Sequence, residues 1–321
     1  MTPPFDTGRV RLRLTCVDGK VSEVHLVSDR PEVVKILKGR SAAQALKMLP
    51  LLFALCGKAQ TRVAELAIAA ARGKQLTPEI DHSAQKEALR EHLWRSLLDL
   101  PPLLGATPLH QEFVTASKLV TDENRGQLYA LLASPAIESL RFALQQQKNV
   151  SPNSPHLLPL LDAQASLNEW SRLDAAFCRQ PEWRGAAAET GAIARKQVTH
   201  AELSFFAIHW LARFDELIEW AKGENIIGGI GTVSAVTVAP NIGRSLVETA
   251  RGLLMHEVVL DGEQIIDYLI VAPTEWNFNP QGALVDQLIG HDAQDRDALQ
   301  QHIAQLVATL DPCVPWELEW A

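Results

Sequence analysis

Apolar and polar residues alternate in two separate segments of the chain. The segment "RVRLRLTCVDGKVSEVHLVS" alternates on either side of Asp18-Gly19, a dipeptide that favours the type I′ turn of a two-residue hairpin loop. The later segment "GLLMHEVVLDGEQIIDYLIVAPT" alternates in the same way around Asp261-Gly262. The pattern therefore predicts a β-hairpin over residues 9–28 and a second one near the end of the sequence.

The chain between these hairpins has helical spacing from Pro31 to about residue 224. Ser41 is a candidate N-cap, Pro50 interrupts the helix that follows it, and an alanine-rich helix restarts after Cys56-Gly57. Further amphipathic helices are predicted at 83–100, 122–147, 166–180, 200–223, 281–290 and 294–310.

The order of these elements predicts an α+β fold, because hairpins and runs of helices are segregated along the chain. We expect one domain over residues 1–321, in which the two ends meet around a central bundle of long helices. The segment 148–160 is rich in Pro, Ser and Asn, which favours an exposed loop.

Composition limits the classes of partner. The formal net charge is -8 at pH 7, which argues against nucleic acid or an anionic membrane as the main partner. No apolar run approaches the ~20 residues that span a bilayer, and the first residues lack the apolar stretch of a signal peptide. We therefore expect a cytoplasmic protein without a membrane partner.

The four cysteines are Cys16, Cys56, Cys178 and Cys313. They are far apart and show no disulfide or zinc-ribbon spacing, so in a reducing compartment they are free thiols or metal ligands. Cys56 lies at the predicted start of a helix, where unpaired N–H groups and the positive end of the dipole lower a thiol pKa. This position predicts a thiolate at Cys56.

Two further sequence patterns support neither a phosphate-binding loop nor a catalytic triad. "GGIGTVS" at 228–234 is similar to a phosphate loop, but no Lys-Ser/Thr pair follows it, so a glycine-rich loop or strand entry is the better interpretation. Histidines are scattered along the chain, but there is no Gly-x-Ser-x-Gly elbow for a Ser/His/Asp triad.

Four stretches, taken together and in order, resemble the motifs around the active site of nickel-iron hydrogenase large subunits. They are "LCGKA" at 55–59, "VETARGLLMH" at 247–256, "YLIVAPTEWNFNP" at 268–280 and "DPCVPW" at 311–316. That family has Arg-x-Cys-Gly-x-Cys, Glu-Ala-Pro-Arg-Gly, Pro-Thr/Ser-x-Trp-Asn and Asp-Pro-Cys-x-x-Cys-x-x-His at these points. These motifs do not place the middle of the chain, about 75–195, within the family.

The resemblance implies that half of the family's metal ligands are missing. The first cysteine of each pair is retained as Cys56 and Cys313, but the second positions are Ala59 and Trp316, and the terminal histidine is Glu319. Two thiolates cannot reproduce a bimetallic site held by four. We therefore expect no nickel and no hydrogen cleavage.

The family's donors to the iron-bound cyanides are retained as Arg251 and Thr274. This selective loss is similar to that of the HupK/HoxV type of hydrogenase expression/formation proteins, which are regarded as assembly scaffolds. The resemblance implies a non-catalytic carrier in which Cys56 and Cys313 transiently bind one iron that bears two cyanides and one carbon monoxide. It also implies HypC/HypD-type maturation proteins and the hydrogenase large-subunit precursor as partners.

Two alternatives remain open at the level of sequence. One is a degenerate large subunit with residual redox or thiol chemistry at Cys56 and Cys313, and the other is a metal-free chaperone that imitates the large subunit. For His256 and Cys178 we expect core packing instead of ligation. Trp316 and Trp320 fit either a docking surface or burial against the body of the protein.

Overall fold

The computed structural model describes residues 8–29, 33–53, 56–148, 156–197 and 202–321. Within these ranges the strands are β1 Arg9–Val17, β2 Lys20–Asp29, β3 Leu76–Ile80, β4 Thr232–Ala239, β5 Ile242–Thr249, β6 Gly252–Asp261, β7 Gln264–Val271 and β8 Trp316–Trp320. The helices are α1 Ala42–Leu52, α2 Gly57–Ala71, α3 His82–Trp94, α4 Leu100–Leu103, α5 His110–Thr121, α6 Arg125–Leu132, α7 Pro135–Gln145, α8 Ala163–Glu169, α9 Ala175–Arg179, α10 Ala192–Lys196, α11 Phe205–Ala221, α12 Pro273–Asn277, α13 Ala283–Leu288 and α14 Arg296–Leu310.

The predicted first hairpin is confirmed. Asp18 and Gly19 form its two-residue loop with φ of 52° and 72°, as a type I′ turn requires. Strand β8 pairs in parallel with β1, so the order of this three-stranded sheet is β2-β1-β8. The expectation that the two ends of the chain meet is therefore also confirmed, by direct strand pairing.

The second sheet has five antiparallel strands in the order β3-β4-β5-β6-β7. The predicted second hairpin is its β6–β7 pair, but the loop is Gly262-Glu263, one residue later than expected, because Asp261 pairs with Gln264. Strands β4 and β5 are buried on both faces, so they lack the alternation that identifies a half-exposed strand. Strand β3 lies in the part of the chain that was predicted to be helical.

Helix α2 lies directly against this sheet. A Cβ at Gly243 of β5 would be only 2.1 Å from the carbonyl oxygen of Ala67, so only glycine permits this approach. The hydroxyls of Ser245 and Thr237 also donate to backbone carbonyls of α2. The sheet thus fixes the position of α2, and with it the position of Cys56 at the helix start.

The long helices form the predicted helical centre, with differences in detail. Helix α11 is buried along most of its length, and a π-helical turn at Arg95–Asp99 connects α3 to α4 without a break. The predicted helix 122–147 is two helices, because Pro135 starts α7 as its first residue. The predicted helix 166–180 is likewise two short helices, α8 and α9.

The segment predicted as a loop, 148–160, falls mostly outside the described residues. Of its described part, Leu158 is buried and Leu160 is 47% exposed. Among the helices of the described ranges, none combines the length and the apolar character that a bilayer crossing needs.

Candidate metal-binding site

Cys56 is the N-cap residue of α2, but its side chain caps no backbone N–H group. Instead, Glu87 of α3 accepts hydrogen bonds from the N–H groups of Lys58 and Ala59, each at 3.0 Å. A carboxylate at this point favours the helix start, since it satisfies unpaired donors and faces the positive dipole end.

The predicted low pKa of Cys56 is wrong. Burial raises the pKa of this thiol to about 12, and the neighbouring Cys313 and Glu87 add to the rise, against the lowering effect of Arg251 and Gln60. Burial outweighs the effect expected of the helix start, and Glu87, whose carboxylate accepts from the free N–H groups there, adds a smaller rise. Without a bound metal, Cys56 is therefore a thiol at neutral pH.

Cys313 lies in the connection between α14 and β8. The Sγ atom of Cys313 lies 3.2 Å from Oγ1 of Thr274, and the Cys313 N–H group donates to the same oxygen at 3.4 Å. Thr274 is in the first turn of α12 and is only 2% exposed. Because its oxygen accepts from the backbone, the hydroxyl proton of Thr274 is free to point at the sulfur or at a ligand of a bound metal.

Arg251 is the second residue of the two-residue loop that joins β5 to β6. Gly252 follows it with φ of +128°, and a Cβ there would lie 2.3 Å from the methyl carbon of Thr190 and 2.7 Å from the nitrogen of Gly191. The Asn277 side chain donates to the Arg251 carbonyl at 3.2 Å and accepts from the Thr190 N–H at 2.9 Å. The loop that bears Arg251 is thus held from two sides.

The Arg251 guanidinium is buried and oriented by two carboxylates. Its Nη2 donates to Glu91 at 2.6 Å, and its Nε donates to the Asp311 carbonyl oxygen at 3.1 Å. Burial opposes ionisation of Asp311, but Arg251 and Arg95 outweigh it and lower the pKa of this carboxyl. No described residue accepts a hydrogen bond from Nη1 of Arg251, so one charged donor remains for a ligand.

The structure brings all four predicted site residues together. Thr274 contacts Cys313, while Cys313 and Arg251 both lie close enough to Cys56 to shift its pKa. Cys178 is elsewhere, packed in an apolar cluster as expected. Two thiols from distant segments, a guanidinium and a hydroxyl therefore meet at one place.

The residues that replace the family's missing ligands have structural contacts in this protein. Ala59 is buried in an apolar cluster between α2 and the sheet, and Trp316 packs on the core beside Cys313. Glu319 forms an ion pair with Arg13 at 2.9 Å. Trp316 and Trp320 are half-buried against the core. The described residues contain no group of three or more His, Cys, Asp or Glu that could hold a metal ion.

His256 is a satisfied core histidine, as expected. Its Nδ1 lies 2.8 Å from the Tyr268 hydroxyl and its Nε2 lies 2.9 Å from Oε1 of Gln60, while burial lowers its pKa to about 3. Gln60 in turn donates from Nε2 to Sγ of Cys56 at 3.7 Å. The structure thus adds a polar neighbour that the motifs did not indicate.

The sequence reasoning missed Gln60, Glu87, Glu91 and Asp311. A signal existed for Gln60, since a spacing of four residues from Cys56 puts both on one helix face, and for Asp311, which is part of "DPC". The two glutamates belong to the stretch 75–195 that matched no motif, so no signal linked them to the site.

Comparison with solved structures identifies the fold. The chain aligns with a Ni-Fe-Se hydrogenase from Desulfomicrobium baculatum at a TM-score of 0.57 and 13% identity, over 94% of this chain and 95% of that one. It aligns with the enzyme from Desulfovibrio vulgaris Hildenborough at 0.54 and 15% identity, over 93% and 94%. The sequence model of a family described as nickel-dependent hydrogenase matches residues 207–315. The molecule therefore has the fold of a nickel-iron hydrogenase large subunit.

Comparison with characterised sequences narrows this class. The chain is 31% identical to the hydrogenase expression/formation protein HoxV of Cupriavidus necator, over 98% of this chain and 96% of the relative. It is 28% identical to the hydrogenase expression/formation protein HupK of Azotobacter vinelandii, over 97% and 98%. The chain belongs to the HoxV/HupK family of hydrogenase expression/formation proteins, which confirms the resemblance noted in its motifs.

Proposed function

We propose that this protein is a non-catalytic scaffold in nickel-iron hydrogenase maturation. It receives an iron that bears two cyanides and one carbon monoxide, holds it between the sulfurs of Cys56 and Cys313, and passes it to the large-subunit precursor. The observation that carries the proposal is the meeting of these two thiols with Arg251 and Thr274, although the cysteines lie 257 positions apart in the sequence.

The sulfur pair suits the metal part of this cargo. Low-spin iron with cyanide and carbonyl ligands is soft and matches thiolate ligands. Cys56 is fixed by the start of α2 and Cys313 by the link between α14 and β8, so the two ligands are held by separate elements of the fold. Binding converts the Cys56 thiol to a thiolate and therefore releases a proton.

The polar neighbours suit the cyanides. A cyanide nitrogen on iron is a partly anionic acceptor, and a guanidinium donates a charge-assisted hydrogen bond that is stronger than a neutral one. Arg251 has Nη1 available for this bond, while its other donors are held by Glu91 and Asp311. The hydroxyl proton of Thr274 supplies the second donor, next to Cys313.

The absence of further thiolate ligands supports a site that binds iron transiently and binds no nickel. Ala59 and Trp316 stand where the family's second cysteines would be, and both side chains are packed in apolar clusters. Nickel would have only the two thiolates that already bind iron, too few for a bimetallic centre.

The names of the relatives, hydrogenase expression/formation proteins, support a role in maturation. A carrier of this kind needs a donor and an acceptor of the iron unit. We propose HypC/HypD-type maturation proteins as the donor and the large-subunit precursor as the acceptor. Because the large subunit shares this fold, a direct transfer is favoured, in which a thiolate pair of the precursor replaces the thiolate pair of this protein on the iron.

Infrared spectroscopy tests the proposal. The protein is purified without oxygen from cells that make the complete maturation machinery, and its spectrum is expected to contain cyanide and carbonyl stretching bands. Cys56→Ala and Cys313→Ala are expected to abolish the bands, whereas Cys16→Ala, at an exposed cysteine of β1, retains them. Bands that are absent, or that survive both site substitutions, would overturn the scaffold function.

The same preparation distinguishes the alternatives. Stoichiometric nickel together with hydrogen-dependent dye reduction would favour a degenerate enzyme. A protein that binds the large-subunit precursor but carries no iron would favour a metal-free chaperone. The donor group formed by Arg251 and Thr274 speaks against this last function, because a mimic without metal has no need of it.

A further inference from the structure

Gln60 connects the Cys56 sulfur to a buried pair of side chains on the sheet. The Tyr268 hydroxyl lies 2.8 Å from Nδ1 of His256, Nε2 of His256 lies 2.9 Å from Oε1 of Gln60, and Nε2 of Gln60 lies 3.7 Å from Sγ of Cys56. Gln60, His256 and Tyr268 are all at most 2% exposed. The metal ligands and cyanide donors described above do not account for this chain of contacts.

In the structure Oε1 of Gln60 faces His256 and Nε2 faces Cys56, and this orientation sets the direction of each bond. The Gln60 carbonyl oxygen can only accept, so the proton of His256 is on Nε2. His256 is neutral because burial disfavours its charged form, which leaves Nδ1 to accept from the Tyr268 hydroxyl. This arrangement requires the NH₂ end of Gln60 to face the sulfur of Cys56.

We propose that Gln60 is a positioning residue for the iron unit, which donates an N–H bond to the bound Cys56 thiolate, and that Tyr268 and His256 keep its amide in this orientation. The inference rests on the proposed function, since a thiolate forms at Cys56 only when metal is bound. If the amide turned over, its oxygen would face the negative sulfur and repel it.

Two consequences follow for the bound iron. The N–H donor restricts the rotation of the Cys56 side chain and occupies the side of its sulfur that faces α2, so the sulfur is directed to one metal. The bond also withdraws electron density from the sulfur, and hydrogen bonds to ligand sulfurs are a known means of tuning iron sites. Weaker donation from sulfur to iron raises the stretching frequency of the carbonyl.

The experiment compares infrared spectra and iron retention of the full-length loaded protein. Gln60→Leu removes the donor without adding charge, and Tyr268→Phe leaves Gln60 in place but frees its orientation. We expect the carbonyl band to move to lower wavenumber and the bands to decay about tenfold faster under chelator challenge in Gln60→Leu, with a smaller change of the same sign in Tyr268→Phe. Gln164→Leu, on the exposed face of α8, is the control and leaves both unchanged.

The outcomes separate this inference from the proposed function. Bands that disappear in Cys56→Ala but keep their position and decay rate in Gln60→Leu and Tyr268→Phe would overturn the positioning role alone. Wild-type protein without any bands would overturn both. If Gln60→Leu unfolds, as thermal melting would reveal, the Tyr268→Phe result decides, because it deletes only one hydroxyl.

Discussion

Gly252→Ala is expected to disturb the candidate site without replacing any residue that is proposed to bind iron or cyanide. Gly252 follows Arg251 at the end of the β5–β6 loop and has φ of +128°, which side chains rarely adopt. A Cβ there would lie 2.3 Å from Cγ2 and 2.6 Å from Oγ1 of Thr190, and 2.7 Å from the nitrogen of Gly191. These atoms cannot all shift, because the Asn277 side chain is hydrogen-bonded both to the Thr190 N–H group and to the Arg251 carbonyl oxygen.

The expected cost has two parts. Overpacking in a dense interior costs about 1–3 kcal/mol, and the positive φ costs roughly 1–2 kcal/mol more. The total of about 2–5 kcal/mol is a large fraction of the 5–15 kcal/mol that stabilises an ordinary folded protein. Gly73→Ala is the matched control: Gly73 has φ of +86° but no atom within 4 Å of the added Cβ, so only the conformational part applies.

Urea unfolding and infrared spectroscopy together measure the effect. With an m-value of about 1–3 kcal/mol/M, the midpoint is expected to fall by about 1 M or more in Gly252→Ala and by clearly less in Gly73→Ala. Loaded protein is expected to lose its bands faster, because a displaced loop moves the Arg251 guanidinium. Adding Thr190→Ser removes the nearest carbon and is expected to recover about 1 kcal/mol.

Equal midpoints for the two alanine variants would refute the reasoning that close packing against Thr190 holds the loop. A Gly252→Ala protein that is destabilised but retains its bands at the wild-type rate would separate the stability of the loop from the proposed role of Arg251.

Three further predictions concern the charged groups of the site. Arg251→Lys keeps the charge but loses the planar guanidinium that can donate to Glu91, Asp311 and a ligand at the same time. Iron retention, measured by the decay of the infrared bands, is therefore expected to fall about tenfold. An unchanged decay rate would contradict the proposed contact with cyanide. Glu87→Ala leaves two N–H groups at the start of α2 without their carboxylate and is expected to cost about 1–2 kcal/mol in urea unfolding. It is also expected to lower the pKa of Cys56 and speed its alkylation, whereas slower alkylation would contradict the assigned role of Glu87. The pKa of the free Cys56 thiol is raised to about 12, so protons compete with iron for its sulfur. The amount of iron retained after dialysis is therefore expected to fall about tenfold per pH unit, between pH 8 and 6, for each proton taken up. Iron retention that does not change with pH would refute proton-coupled binding.

The strands show where the sequence pattern succeeds and where it fails. Alternation and a turn dipeptide identified β1 and β2, because one face of this pair is buried and the other meets water. Strands β4 and β5 are covered on both faces, so their burial leaves no alternation to detect. Strand β3 has only five residues, which is too short for its pattern to stand out from the surrounding helices.

The candidate site was chosen through motifs and not through spacing. Nothing in the positions of Cys56 and Cys313 indicates that they meet, and only the resemblance to a known family joined them. The pKa of Cys56 was predicted with the wrong sign because burial by the folded chain raises it, and the neighbouring Cys313 and Glu87 come from other parts of the sequence. Local position fixes the dipole of a helix end, but tertiary contacts decide which charge faces it.

The pairing of β8 with β1 also has a consequence for the timing of synthesis. Cys313 is held between α14 and a strand that must find its partner near the other end of the chain. On the ribosome, α2 emerges well before strands β4 and β5, which fix its position, and these strands emerge before β8. A nascent chain that lacks β8 therefore has at most Cys56 of the two proposed ligands, and the proposed site can form only after translation has delivered Cys313 and the strand that follows it.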